Sequence, residues 1–238
     1  MTVRRNVAVL FLACVAATLV TGRIHGRNAI GSADADAAQL PQDVYPDSRD
    51  RLPLPKRGDM DDYGKKILDA LPAGKQLPAS VHSIRLYSPV ARSLEEADRY
   101  LNFETGLPAP VVEVAILVTA REVDSQFEWT QNEPHARDPR NPHHLDPAII
   151  DIIKYDKPVA GLGEREAAVI ALGREMFGRK RVSSETFAKV LRLFGRRGTV
   201  DLVELMTNYW AAAAELIAFD QQLKEGQSPL LPSLQKRQ

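Results

Sequence analysis

Apolar residues recur at helical spacing along most of this chain, and no stretch alternates apolar and polar positions as a half-buried strand would. Asp59 to Leu71 predicts a first helix, ended by Pro72 and Gly74. Ser93 and Glu96 have the spacing of a capping box and predict a helix through Phe103, closed by Gly106 and Pro108. Pro110 to Val123 predicts the most apolar early helix, and Ser125 with Glu128 predicts the start of the next. That helix is expected to be disturbed at Pro134, because proline removes a donor and crowds the carbonyl one turn back. Asp146 followed by Pro147 predicts a start for a helix through Tyr155. Leu162 to Phe177, Ser184 to Phe194 and Val200 to Leu223 complete the set, punctuated by Gly178 and Gly198. The expected class is all-α, with short connections that favour antiparallel neighbours. Four consecutive alanines between Tyr209 and Leu216 remove bulk from the last helix and suit close packing against another helix or subunit.

The two ends depart from this pattern. Arg4 and Arg5 precede an uncharged apolar run from Val7 to Val20, so residues 1–30 read as a signal peptide or a signal anchor. The run is short for a span that needs about twenty apolar residues. The expected location is therefore exported, periplasmic or extracellular, with membrane contact only through this segment if it stays uncleaved. Residues 31–50 are rich in Asp, Ala and Pro without hydrophobic period and read as a flexible linker that wraps the surface. The helical domain is expected over 51–223, followed by a polar tail at 224–238.

Composition narrows the chemistry. At 238 residues, 44% hydrophobic and 26% charged, the chain can bury one good core. Its 31 basic and 31 acidic residues balance, and the leader holds four arginines and no acidic residue, so the body after it is slightly acidic. That leaves no general electrostatic case for nucleic acid. The only cysteine, Cys14, lies in the leader, so the exported body has no disulfide, thiol or thiolate metal site. His135, His143 and His144 fall close together, but the segment RDPRNPHH reads as a flexible loop without regular ligand spacing, and neither a metal nor a cofactor is expected.

The informative stretch runs from Glu113 to Ala136. It sets one acidic residue inside an apolar helix and several polar groups at the start of the next. At 100° per residue, Ser125, Glu128, Asn132 and His135 fall within about 80° of one another, on one face of a helix that survives Pro134. A buried Glu113 with a raised pKa suits proton transfer, while its bland reading is a glutamate paired with Arg121. A capping box alone accounts for Ser125 and Glu128, and Ser125 has no base at a spacing that would make it a nucleophile. Trp129 and Trp210 either line a pocket or belong to core or subunit contacts.

This stretch resembles the carboxymuconolactone decarboxylase and alkylhydroperoxidase D families. In their peroxidase branch a glutamate is followed by a cysteine twelve positions on, a second cysteine three further and a histidine four beyond. On this chain Glu113 matches the glutamate, Ser125 and Glu128 fall on the cysteine positions, and Asn132 falls on the histidine. Phe127-Glu128-Trp129 looks like the aromatic-Glu-Trp signature of non-thiol members, and Leu86-Tyr87-Ser88-Pro89 looks like their leucine-His-Ser-Pro segment with Tyr87 in place of histidine.

The resemblance covers residues 51–223. It implies an alkylhydroperoxidase D-like helical bundle, a homo-oligomer (trimer or hexamer) and a small-molecule substrate, a lactone or carboxylic acid. The expected catalytic group is Glu113, Glu128, Asn132, Ser125 and His135, the last as a candidate for the missing motif histidine, with Tyr87 and Trp129 as substrate contacts. Two rivals stand beside this acid/base enzyme. One is a non-catalytic oligomeric or ligand-binding module on the same fold. The other is a peroxidase, which a chain without a thiolate outside its leader does not favour.

Overall fold

The computed structural model describes residues 40–233. The expected leader, residues 31–39 of the expected linker and the last five residues of the tail lie outside them. Among the described residues the fold is all-α, with no strand. The helices are α1 (Asp62–Asp69), α2 (Val81–Arg85), α3 (Ala91–Phe103), α4 (Ala109–Glu122), α5 (Gln126–Arg137), α6 (Pro147–Lys154), α7 (Glu164–Gly173) and α8 (Ser184–Ala218). None of them is long and apolar enough to cross a membrane.

α4 is the hub. It packs against α5, α6, α7 and α8, and Val111 to Ala120 are buried without interruption. Each Val, Leu or Ile fully buried there contributes about 1.5–3 kcal/mol, so the helix is fixed from every side. A helix enclosed all round has no wet face. Glu113, one turn in from its start, therefore cannot turn its carboxyl to water.

The turn from α4 to α5 is short and specified. Asp124 takes a left-handed conformation (φ 56°), and Ser125 N–H returns to Ala120 O at 2.9 Å to close α4. Ser125 Oγ then accepts from Glu128 N–H at 3.4 Å and caps α5. Asp146 caps α6 in the same way, its carboxylate accepting from Ala148 N–H at 2.8 Å.

Several elements differ from the sequence expectation. α3 begins at Ala91, so Ser93 lies inside it and caps nothing, and Glu96 pairs with Arg92 instead. α5 continues through Pro134, which costs one backbone bond near its end while Trp129, Glu133 and Ala136 stay buried. The break in the last helix falls at Gly195 (φ 67°, ψ 180°), a conformation open to glycine, and Gly198 remains helical. Residues 174–178 form a π turn at the end of α7.

The described segments on either side of the domain are held against the helices. Val44, Ser48 and Asp50 are buried; Arg51 N–H donates to Phe219 O at 2.9 Å, and Gln222 N–H to Arg49 O at 2.8 Å. Leu231 is buried against the main core, and Arg121 donates to Pro232 O at 2.8 Å. Arg121 is thus spent on Pro232 and Asp124, not on Glu113.

Candidate functional site

Polar side chains from α2, α3, α4, α5, α8 and the loop after α5 gather on one side of the hub. Glu113 is only 4% exposed, and burial pushes its carboxyl up to about 8, tempered by the charge of His135. Its Oε2 lies 3.6 Å from Nδ1 of His143. Its Oε1 is buried and has no hydrogen-bond partner among the described residues. A buried carboxyl oxygen without a partner is costly unless something else meets it.

Glu128, on the first turn of α5, is 9% exposed, and burial pushes it up to about 7. The charges of His82 and Arg85 pull it down and that of Asp98 pushes it up. Asn132, one turn along α5, donates to Glu128 O at 2.8 Å and to its Oε2 at 3.3 Å, which lowers it further.

A second layer holds these groups. His82 on α2 has Nδ1 2.6 Å from Oε1 of Glu95; burial lowers its pKa, but the bond and charge of Glu95 outweigh this and raise it. Arg85 makes two bonds to Glu215 of α8, at 2.9 and 3.3 Å. Asp98, raised by burial, accepts from Asn208 at 2.9 Å and Asn102 at 3.2 Å. Tyr209 donates to Asn102 Oδ1 at 3.1 Å. Burial raises its phenol well above the usual range, and the charges of Asp98, Glu128 and Glu113 add to this. One phenol thus feels all three carboxylates.

Of the residues expected from sequence, Asn132 bonds Glu128 along α5, and the charge of His135 acts on Glu113. Ser125 sits beside them, with its oxygen committed to the helix cap. Tyr87 does not join them, because its hydroxyl donates to Pro53 O at 2.9 Å under the N-terminal segment. Trp129 is fully buried, and its Nε1 donates to Glu133 Oε2 at 2.6 Å. Glu133 in turn pairs with Lys154 and Arg137, so Trp129 belongs to the join between α5 and α6.

Sequence reasoning missed His82, Asp98, Asn102, His143 and Tyr209. Ser80 ahead of Val81 and Ile84, both buried, was a signal for α2 that would have set His82 beside the core. Nothing local marks His143, which reaches Glu113 only because Leu145 is buried and its N–H bonds to Ala136 O at 2.8 Å, pulling the loop in.

Chemically the arrangement supplies two carboxyls poised near neutrality, two imidazoles and a phenol, in surroundings that strengthen each charge. Among the described residues no cluster of three or more His, Cys, Asp or Glu side chains is placed to hold a metal ion. No protein-family model, curated protein or solved structure matches the chain.

Proposed function

We propose that this chain is an exported acid/base enzyme of the carboxymuconolactone decarboxylase type, working without a thiol on a small organic substrate. Its fold would be the alkylhydroperoxidase D-like bundle, assembled as a homo-oligomer, either trimer or hexamer. The observation that carries the reading is Glu113: a carboxyl enclosed by an apolar helix, pushed up to about 8, with Oε1 left for a ligand to meet.

The roles follow from the two pKa values. Near pH 7.5 Glu128, at about 7, is largely ionised and can accept a proton, while Glu113, at about 8, is largely protonated and can give one. On a lactone, Glu128 takes a proton from water as it adds to the carbonyl, and Glu113 protonates the departing ring oxygen. Decarboxylation of a lactone acid would use Glu113 to protonate the carbon left behind. Either way His143 stands beside Glu113, and Asn132 fixes Glu128.

A protonated Glu113 is a hydrogen-bond donor, which favours a carbonyl or ring oxygen over a carboxylate at that point. The test is turnover of a lactone panel by the parent chain and by Glu113→Gln and Glu128→Gln. A loss of kcat of about a hundredfold or more in each is expected of proton-transfer groups. Unchanged rates in both would remove the assignment.

A non-catalytic binding module is the second reading, favoured by the use of Asn132 and Ser125 as supports for Glu128 and α5. It predicts lactone binding without turnover.

A further inference from the structure

The half of α8 beyond Gly195 carries an apolar strip on its outer side. Val200, Val203, Thr207, Trp210, Ala214 and Ile217 follow one another at steps of three and four residues, opposite the buried Leu202, Leu205, Ala212 and Leu216 on a helical projection. Val200, Trp210 and Ile217 are 59, 50 and 65% exposed. Trp210 has Phe177 on one side, ring centroids 6.1 Å apart, and keeps half of its surface open. A helix face meant for water carries many charges, and this one carries Glu204 at its margin.

Cations border the strip. The kink at Gly195 opens a groove of about 450 Å³, lined by Phe187, Leu191, Val200 and Val203, with Arg196 and Glu204 at its rim. The turn over residues 179–182 joins Phe177, beside Trp210, to the start of α8, where Phe187 lines the groove, so both its ends adjoin the strip. Lys180 and Arg181 stand exposed in that turn. Neither they nor Arg196 has an acidic partner among the described residues, unlike Arg179, Arg192 and Arg197. Apolar surface bordered by unpaired cations matches a surface that is apolar within and anionic at its face.

The path of the chain points the same way. The segment before α1 lies on the C-terminal end of α8: Arg51 Nη1 donates to Ala218 O at 3.2 Å, and Gln221 Nε2 to Ser48 O at 3.0 Å. Residues 1–39, with the apolar run Val7 to Val20 expected as a leader, therefore precede a segment fixed at the Ile217 end of the strip. Residues 21–39 reach about 65 Å at most when extended.

We propose that the outer face of α8 lies on an anionic phospholipid membrane, with Trp210 and Ile217 seated at headgroup level and Arg196, Lys180 and Arg181 on lipid phosphates. An indole with one open apolar side suits that interface, and the strip, roughly 27 Å long at 1.5 Å per residue, lies in its plane. A leader retained as an anchor would hold the strip at the membrane; without it the contact is peripheral and reversible. The inference does not depend on the reaction proposed above.

The test uses the full chain with vesicles of phosphatidylcholine and phosphatidylglycerol whose acyl chains are brominated and quench a tryptophan that reaches them. Of the chain's two tryptophans Trp129 is fully buried, so the quenched emission is that of Trp210. It should fall by about half. Val200→Glu with Ile217→Glu, both at exposed positions and checked for retained helix by circular dichroism, should remove most of this quenching. Lys180→Glu with Arg181→Glu, or vesicles of phosphatidylcholine alone, should lower the ratio of docked to free face about tenfold.

The proposal is overturned by a chain that fails to bind these vesicles or binds them without quenching. Quenching that ignores the Val200 and Ile217 substitutions, or that is equal on phosphatidylcholine alone, overturns it too. So does a Trp210 already shielded from acrylamide before lipid is added, in an assembly seen by sedimentation equilibrium, which would assign the face to protein.

Discussion

His143 holds its Nδ1 3.6 Å from Oε2 of Glu113, although thirty residues and a whole helix separate them in the chain. Glu113 is buried and His143 half-buried, and burial moves both toward their neutral forms: Glu113 up to about 8 and His143 down. At pH 7 the contact is therefore between an acid that still holds its proton and an imidazole free to accept one.

The first consequence is for stability. A carboxyl raised from 4.5 to about 8 binds an extra proton in the folded state between those values. Stability is therefore lost as pH climbs through that window, and the loss levels off above about 8. Glu113→Gln, which cannot ionise, should match the parent near pH 5 and exceed it at pH 9, with a rise in Tm on the order of 5 °C. Thermal unfolding at the two pH values checks it.

Catalysis gives the second prediction. With Glu128 near 7 acting as base and Glu113 near 8 acting as acid, kcat/KM should follow a bell with its maximum between them. Asn132→Ala removes donors from Glu128 and should move the acid limb to higher pH.

Arg85 supplies the third. Its side chain is 3% exposed and bonds Glu215, which keeps 29%. Arg85→Met leaves a partly buried carboxylate without its cation, at an expected cost of about 1–3 kcal/mol, less than a fully buried pair would lose. It also removes a charge that lowers Glu128, so the Glu128 pKa should rise. Chemical denaturation and a carboxyl titration read the two effects separately.

The fourth concerns the hub. A Cβ added at Gly173 would lie 2.7 Å from Val118 Cγ1 and 3.0 Å from Cγ2, and a β-branched side chain in a packed helix has little room to turn. Gly173→Ala should cost about 1–3 kcal/mol in denaturant unfolding, the reverse of the gain expected when alanine replaces glycine in a roomy helix.

Much of the frame was legible where local rules act alone. The apolar run of α4, the Ser125 cap and the Asp146-Pro147 start are specified by neighbours within a turn, and the structure has them where the sequence puts them. Glu113 was legible as a candidate because an acidic residue stands out in such a run. What was not legible depends on distant contacts. Pro134 stays helical because Trp129 and Ala136 are anchored in the core. α2 is five residues long, too short to show a period, so His82 went unseen. Tyr87 was expected in the site on the strength of a motif position, but the order of residues 44–53 along the surface gives its hydroxyl a partner in Pro53.

The central claim is that Glu113 and Glu128 keep their protons toward neutral pH because the fold buries each of them. Carbon-13 NMR titration of the side-chain carboxyls, with Glu113→Gln and Glu128→Gln used to assign the signals, tests it without any substrate. The account predicts midpoints near 8 for Glu113 and near 7 for Glu128. Two carboxyls titrating independently near the ordinary 4.5 would contradict it.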